Sequence, residues 1–267
     1  MLKAIKHRSN NICLNFCIIK KDGEDNMKNT LKLLVSVSEV DEALDAFKGG
    51  VDIIDIKNPK EGALGANFPW VIAKVRDILG EKVWISATIG DMPNLPGTAS
   101  LAALGAAYSG ANYVKVGLFG TSSFNEALYM MKSVVRSVKD YSSKVKVIAS
   151  GYADHTEFGG LSPLLLPNIA YKSGADGVLI DVKNKGGLNL FDFLDLSQLQ
   201  IFVKESHKFN LIVALAGGLD KEDIPQIQDT GADIIGVRRA VCEKCDNRFG
   251  KVREKFVSDF VKMIRFR

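Results

Sequence analysis

Four near-copies of one segment, alternating strand-like and helix-like periodicity, and a chain of 267 residues predict an α/β protein, a single (βα)8 TIM barrel with a short N-terminal extension. The copies are GGVDIIDIK (49–57), SGANYVKVG (109–117), SGADGVLIDVK (173–183) and TGADIIGVR (230–238). Their Gly-x-Asp/Asn starts fall at 50, 110, 174 and 231, giving spacings of 60, 64 and 57 residues. One βα unit takes about 30 residues, so each spacing holds two units and the four copies make eight. Eight units in about 250 residues close into a barrel. The alternative is an open doubly wound sheet. Against it, no G-x-G-x-x-G follows the first strand.

The elements follow in order. The first strand reads LKLLVSVS (31–38), and VDEALDAFKGG after it has the apolar spacing of an amphipathic helix. In each copy the glycine ends a helix and the small or polar pair turns the chain into the next strand. The intervening strands are KVWISAT (82–88), KVKVIAS (144–150) and LIVALAGG (211–218). SFNEALYMMKSVVRSVKDY and LSQLQIFVKESHKF supply further amphipathic helices.

Residues 1–29 stand apart from the barrel domain, 30–267. They begin basic, but asparagines break their apolar part, which makes a poor signal peptide. Met27 lies just before the first strand, so a disordered leader or a start at Met27 is expected.

Composition narrows the function. With 46% hydrophobic and 25% charged residues, the chain is an ordinary soluble domain with a sizeable core. A net charge of +4 gives no case for nucleic acid and suits small anionic substrates. No apolar run reaches the roughly 18 residues of a membrane span. Cys13 and Cys17 lie in the extension, and Cys242 and Cys245 form a lone C-x-x-C without the second half of a zinc site. Reduced thiols in a cytoplasmic protein are the plain expectation. His7, His155 and His207 show no ligand spacing, so neither metal nor cofactor is predicted. His155 follows the fifth strand near the mouth, and His207 falls on a helix surface. A homo-oligomer is left open.

Strand parity locates the polar residues. In the second strand Ile54 and Ile56 share one face, and Ile53, Asp55 and Lys57 the other. In the fourth, Val114 and Val116 oppose Tyr113 and Lys115; in the sixth, Val178, Ile180 and Val182 oppose Leu179, Asp181 and Lys183. The Val/Ile face suits the helix layer. Asp55, Lys57, Lys115, Asp181 and Lys183 then point inward near the C-terminal mouth, where barrel enzymes keep their chemistry. A charge cluster there is costly unless it pairs or binds something. Lysine attacks carbonyls only when neutral, and neighbouring ammonium groups favour that form. Asp55, on the same face as Lys57, is placed to orient its amine and carry protons. Lysines with carboxylates point to Schiff-base chemistry. Ser86 and Thr88 share a face of the third strand and line the same pocket.

Phosphate is the second signal. The seventh strand ends ALAGGLDKEDIP, with Gly217 and Gly218 before a helix start capped by Asp220; the eighth ends GVRRA, with Arg238 and Arg239. Loops after strands 7 and 8 of barrels commonly hold phosphate through backbone N–H groups. YADH after the fifth strand and GDMPNLPGT after the third add polar mouth loops.

The strings DIKNPKEGALGANFPW, SATIGDMPNLPGTASLAALGAAYSGANYVKVGL, ASGYAD, LFDF, VALAGGLDKEDIP and DIIGVRRAVC resemble the (5-formylfuran-3-yl)methyl phosphate synthase family, over residues 31 to about 250. The resemblance implies a (βα)8-barrel lyase of methanofuran biosynthesis. It joins two molecules of glyceraldehyde 3-phosphate into 4-(hydroxymethyl)-2-furancarboxaldehyde phosphate, losing phosphate and water. It further implies Lys57 as the Schiff-base lysine with Asp55 as partner, Lys115 as a proton-transfer lysine, and Asp181 with Lys185 as a second pair. Here parity selects Lys183 and family spacing selects Lys185; Lys185 is preferred because parity fails once a strand has ended. Two other readings share the lysines and phosphate loops: a class I aldolase or isomerase of another sugar phosphate, and a non-catalytic barrel binding phosphometabolites.

Overall fold

A computed structural model describes residues 31–184, 186–243 and 250–265. Eight parallel strands close into one barrel in the order β1 to β8: β1 (Lys32–Val37), β2 (Ile53–Ile56), β3 (Trp84–Pro93), β4 (Tyr113–Gly120), β5 (Lys146–Tyr152), β6 (Gly177–Asp181), β7 (Ile212–Leu215) and β8 (Ile234–Val237). The helices α1 (Val40–Lys48), α2 (Pro69–Leu79), α3 (Pro96–Tyr108), α4 (Phe124–Tyr141), α5 (Leu166–Ser173), α6 (Leu196–Lys208), α7 (Ile224–Thr230) and α8 (Glu254–Arg265) follow the strands in turn. The predicted fold is the observed one. The N-terminal extension with Met27, His7, Cys13 and Cys17, and also Cys245 and Lys185, lie outside the described residues.

Local chemistry explains where elements begin. Ser123 and Glu126 form a reciprocal capping box on α4, and Asp195 and Gln198 one on α6. Pro69 and Pro96 open α2 and α3, where a missing N–H costs nothing.

The repeat has a structural cause. Gly50, Gly110, Gly174 and Gly231 all have positive φ, at 85°, 100°, 77° and 78°, which lets the chain leave each helix. Two residues on, Asp52, Asn112, Asp176 and Asp233 each accept the backbone N–H of the preceding strand, from Leu33, Ile85, Val147 and Val213, all at 2.8 Å. Each side chain therefore staples an even strand to the odd strand before it at the N-terminal end of the barrel. That end serves stability. His207 belongs to it, with its ring 3.1 Å from Asp233.

The core has two compartments. Ile54, Ile56, Val114, Val116, Val178, Ile180 and Val182 pack outward against the helices. Leu34, Ile53, Ile148, Leu179, Ala214 and Ile234 fill the barrel interior. Strand parity thus divides side chains as the sequence predicts.

Strand lengths depart from the sequence reading. β3 runs on to Pro93, with register shifts after Thr88 and Asp91, instead of stopping at 88. β7 ends at Leu215, so Gly217 and Gly218 form a turn with φ of 113° and 72°. β3, β4 and β5 have 10, 8 and 7 residues, whereas β6, β7 and β8 have 5, 4 and 4.

Candidate active site

The site rises in layers from the barrel interior. Ser36, Asp55 and Ser86 stand side by side in one row of β1, β2 and β3. Asp55 is fully buried, and its Oδ2 accepts the Lys115 ammonium at 2.7 Å and the Ser36 hydroxyl at 2.9 Å. Asp55 Oδ1, Ser86 Oγ and Ser150 Oγ are buried and have no hydrogen-bond partner among the described residues. The Asp55–Lys115 pair is thus an interior ion pair of short range and good geometry.

Lys57 sits at the end of β2 and is nearly buried. Its Nζ lies 3.9 Å from Asp181 Oδ2 and donates to the Ala63 carbonyl at 3.0 Å. Here the barrel corrects the sequence. Proximity in the chain pairs Asp55 with Lys57; in space Asp55 pairs with Lys115, and Asp181 stands beside Lys57. Residues two apart on a strand share a face but sit at different heights. Neighbours at similar height come from other strands. Lys183, the lysine that parity selects, reaches Asp91 Oδ2 at 2.9 Å, with its ammonium over the Phe119 ring at 4.8 Å.

Lys57, Lys115 and Asp181 line a cavity of about 430 Å³ that opens at the C-terminal mouth. Gly217, Gly218 and Arg239 stand on its β7–β8 rim. Arg239 is mainly exposed, and its guanidinium donates to Gly218 O at 3.1 Å. The Asp220 side chain caps a short turn, Lys221–Asp223, that precedes α7. His155 is not among the residues lining this cavity; its Nδ1 lies 3.2 Å from Ala153 O.

The Arg238 guanidinium forms a two-pronged pair with Glu42, both bonds at 3.0 Å, and donates also to Ser36 O and Gly250 O. Arg238 lines the cavity with Gly217, Gly218 and Arg239, and its guanidinium also ties α1 to the end of β8. Burial alone would raise the Glu42 pKa. The hydrogen bonds and charge of Arg238, with the N–H groups of Ser38 and Val252, outweigh it and hold the carboxyl below its usual value. A depressed folded-state pKa adds stability that is present above the unfolded pKa and lost as pH falls through the folded one. Glu42→Gln is therefore expected to cost about 3 kcal/mol at pH 7, as for a broken buried pair. The gap from the native chain should narrow as pH falls below the ordinary carboxylate range and the native carboxyl also protonates, as read by denaturant unfolding at neutral and acidic pH.

Sequence reasoning placed Asp91, Tyr152 and Asp154 in polar mouth loops but gave them no individual role. Asp91 accepts the N–H groups of Ala63 at 3.0 Å and Leu64 at 3.1 Å, and the Tyr152 hydroxyl. Burial and then the Asp91 charge push the Tyr152 phenol well above its ordinary pKa, so it stays a donor. Asp154, fully buried, accepts Lys183 N and Asn184 N, both at 2.8 Å, and shapes the chain leaving β6. The YADH motif was the available signal for Asp154. The bulge in β3, invisible in the sequence, concealed Asp91.

The loop after β2 forms one side of the mouth. Leu64 is fully buried and packs into the interior cluster with Leu34 and Leu179, while Thr88 Oγ1 donates to Leu64 O at 2.6 Å. Lys60 and Glu61 remain exposed loop charges.

Fold and site together define a (βα)8-barrel enzyme with a mouth of lysines and aspartates. The chain matches the family described as 4-HFC-P synthase over residues 33–261, and it belongs to that family. It is 48% identical over 233 residues to (5-formylfuran-3-yl)methyl phosphate synthase of Methanococcus maripaludis, covering 87% of this chain and 99% of the relative. The protein of that name from Methanocaldococcus jannaschii is 47% identical with the same coverage. Among solved structures, KGPDC from Streptococcus mutans has a TM-score of 0.60 at 14% identity, covering 89% of this chain and 98% of that one. 3-Hexulose-6-phosphate synthase from Salmonella typhimurium has a TM-score of 0.57 at 16% identity, covering 88% and 100%. At these identities the structures share the fold alone. No described helix is long and apolar enough to cross a membrane.

Proposed function

We propose that this chain condenses two molecules of glyceraldehyde 3-phosphate into (5-formylfuran-3-yl)methyl phosphate, with loss of phosphate and water, through a Schiff base on Lys57. The product is a precursor of methanofuran. One observation carries the mechanism: Lys57, with Asp181 at 3.9 Å, lines the cavity together with the Gly217–Gly218 rim. The names of relatives that align over nearly their whole length support the choice of reaction.

Lys57 acts in its neutral form, its proton passing to Asp181. Its nitrogen attacks a triose phosphate carbonyl, a C–N bond forms, and the carbonyl oxygen leaves as water. The protonated imine makes the adjacent carbon acidic, and loss of a proton there gives the enamine that attacks the second aldehyde. Lys115, held by Asp55 at the cavity floor, is positioned to move protons in the later elimination steps. The backbone N–H groups at Gly217–Gly218 and Arg239 hold phosphate on the rim. Lys185 is proposed as a further partner of Asp181 on the family resemblance.

The test is borohydride trapping with glyceraldehyde 3-phosphate, read by peptide mass. A reduced adduct on the Lys57 peptide, absent in Lys57→Ala, is expected, together with a furan product in unreduced mixtures. An adduct without the furan would mean an aldolase or isomerase of another sugar phosphate. No adduct on any lysine would mean a binding barrel whose lysines serve as charges.

A further inference from the structure

We infer that Asp91 is a positioning residue for Lys57, acting through the backbone of the loop after β2; the inference rests on the role proposed above for Lys57. Asp91 does not line the cavity, whereas Gly62 and Ala63 do. The loop therefore lies between this carboxylate and the reacting space.

Four donors converge on the Asp91 carboxylate: Ala63 N, Leu64 N, the Tyr152 hydroxyl and the Lys183 ammonium. A carboxylate offers about four lone-pair sites, so its capacity is filled. Two of the donors are consecutive backbone N–H groups. The carbonyl of the first, Ala63, faces the other way and accepts Lys57 Nζ at 3.0 Å. One residue thus joins the buried carboxylate to the lysine. The carbonyl of the second, Leu64, is held by Thr88, and its side chain is anchored in the interior. Gly62 completes the seat. Its φ is 137°, and a Cβ there would overlap Asp91 Oδ2. No larger residue lets the backbone come this close.

Ala63 O holds one N–H of Lys57, and Asp181 Oδ2 lies 3.9 Å from the same nitrogen, on a side chain that lines the cavity where a carbonyl must arrive. Without the Asp91 charge, the loop loses the group that fixes the height of Ala63 O. Asparagine at 91 would present an N–H to one of the two backbone N–H groups.

Asp91→Asn is expected to lower kcat with glyceraldehyde 3-phosphate about a hundredfold, the size of loss that a misplacement near 1 Å produces. KM should stay within about threefold, because the phosphate rim lies on other strands. Hydrogen exchange should quicken at Ala63 and Leu64 but not across the barrel. Tyr152→Phe, which leaves three donors in place, should show a smaller loss in the same sense, and it serves if Asp91→Asn fails to fold. Reductive labelling of Lys57 by pyridoxal phosphate reads amine placement without assuming the substrate, and should slow in parallel. Loop amides that exchange freely while kcat and labelling stay within about twofold of the native chain would overturn the inference. So would faster exchange throughout the barrel, which marks a structural role only. If the native chain makes no furan, or makes it with no adduct on Lys57, the proposed reaction or its covalent step falls; the labelling and exchange ratios of Asp91→Asn still decide the positioning.

Discussion

Lys115→Met is expected to destabilise the barrel by about 3–5 kcal/mol, the usual result of removing one partner of a buried ion pair. It should also lower turnover by about a thousandfold, within the range for a lost acid–base group. The stability loss follows from what remains. Asp55 is fully buried, its Oδ1 has no partner among the described residues, and Ser36 alone would still donate to Oδ2. An ionised carboxylate in that setting is uncompensated. The double variant Lys115→Met with Asp55→Asn removes both charges and should regain much of the stability, while turnover stays low. Equilibrium unfolding and kcat on the three proteins separate the two effects. A single variant as stable as the native chain would show that Lys115 does not neutralise Asp55.

Gly62→Ala is the second large effect. An L-residue at φ 137° costs on the order of 1–3 kcal/mol, and the new methyl would collide with Asp91 Oδ2. The loop must move outward, taking the Ala63 carbonyl from Lys57. Turnover should fall about a hundredfold, with a modest drop in melting temperature because the displaced segment is local. Gly97→Ala, in the first turn of α3 where a Cβ meets nothing within 4 Å, is the control and should match the native chain. Steady-state kinetics beside thermal unfolding would check both. Native-like turnover in Gly62→Ala would mean that the loop does not set the lysine.

The barrel was legible because closure repeats one pattern. The four glycine turns and their following Asp or Asn recur at spacings that a two-unit repeat requires, and each proves to be a staple between strands. Inward and outward faces were legible because parity needs only a strand's direction. Which carboxylate meets which lysine was not. Asp55 meets Lys115 across strands 60 residues apart in the chain, and that pairing depends on strand tilt and height. Glu42 and Arg238 meet across 196 residues, so a single sequence gives no sign of that pair. Asp91 was hidden by the β3 bulge. An extra residue inverts parity, and a polar residue read as loop becomes part of the wall.

The unequal strands have a consequence for traffic. β3, β4 and β5 stand tall; Phe119 on β4 and Tyr152 on β5 pack at their upper ends with Phe158 of the turn that follows β5. β6, β7 and β8 stop early and give way to glycines at 186, 187, 217 and 218. The vestibule is therefore a tilted bowl, with its spout over the last three strands. A small molecule approaching the lysines meets glycine backbone and the Arg239 guanidinium on that low side, and packed aromatic rings on the high one.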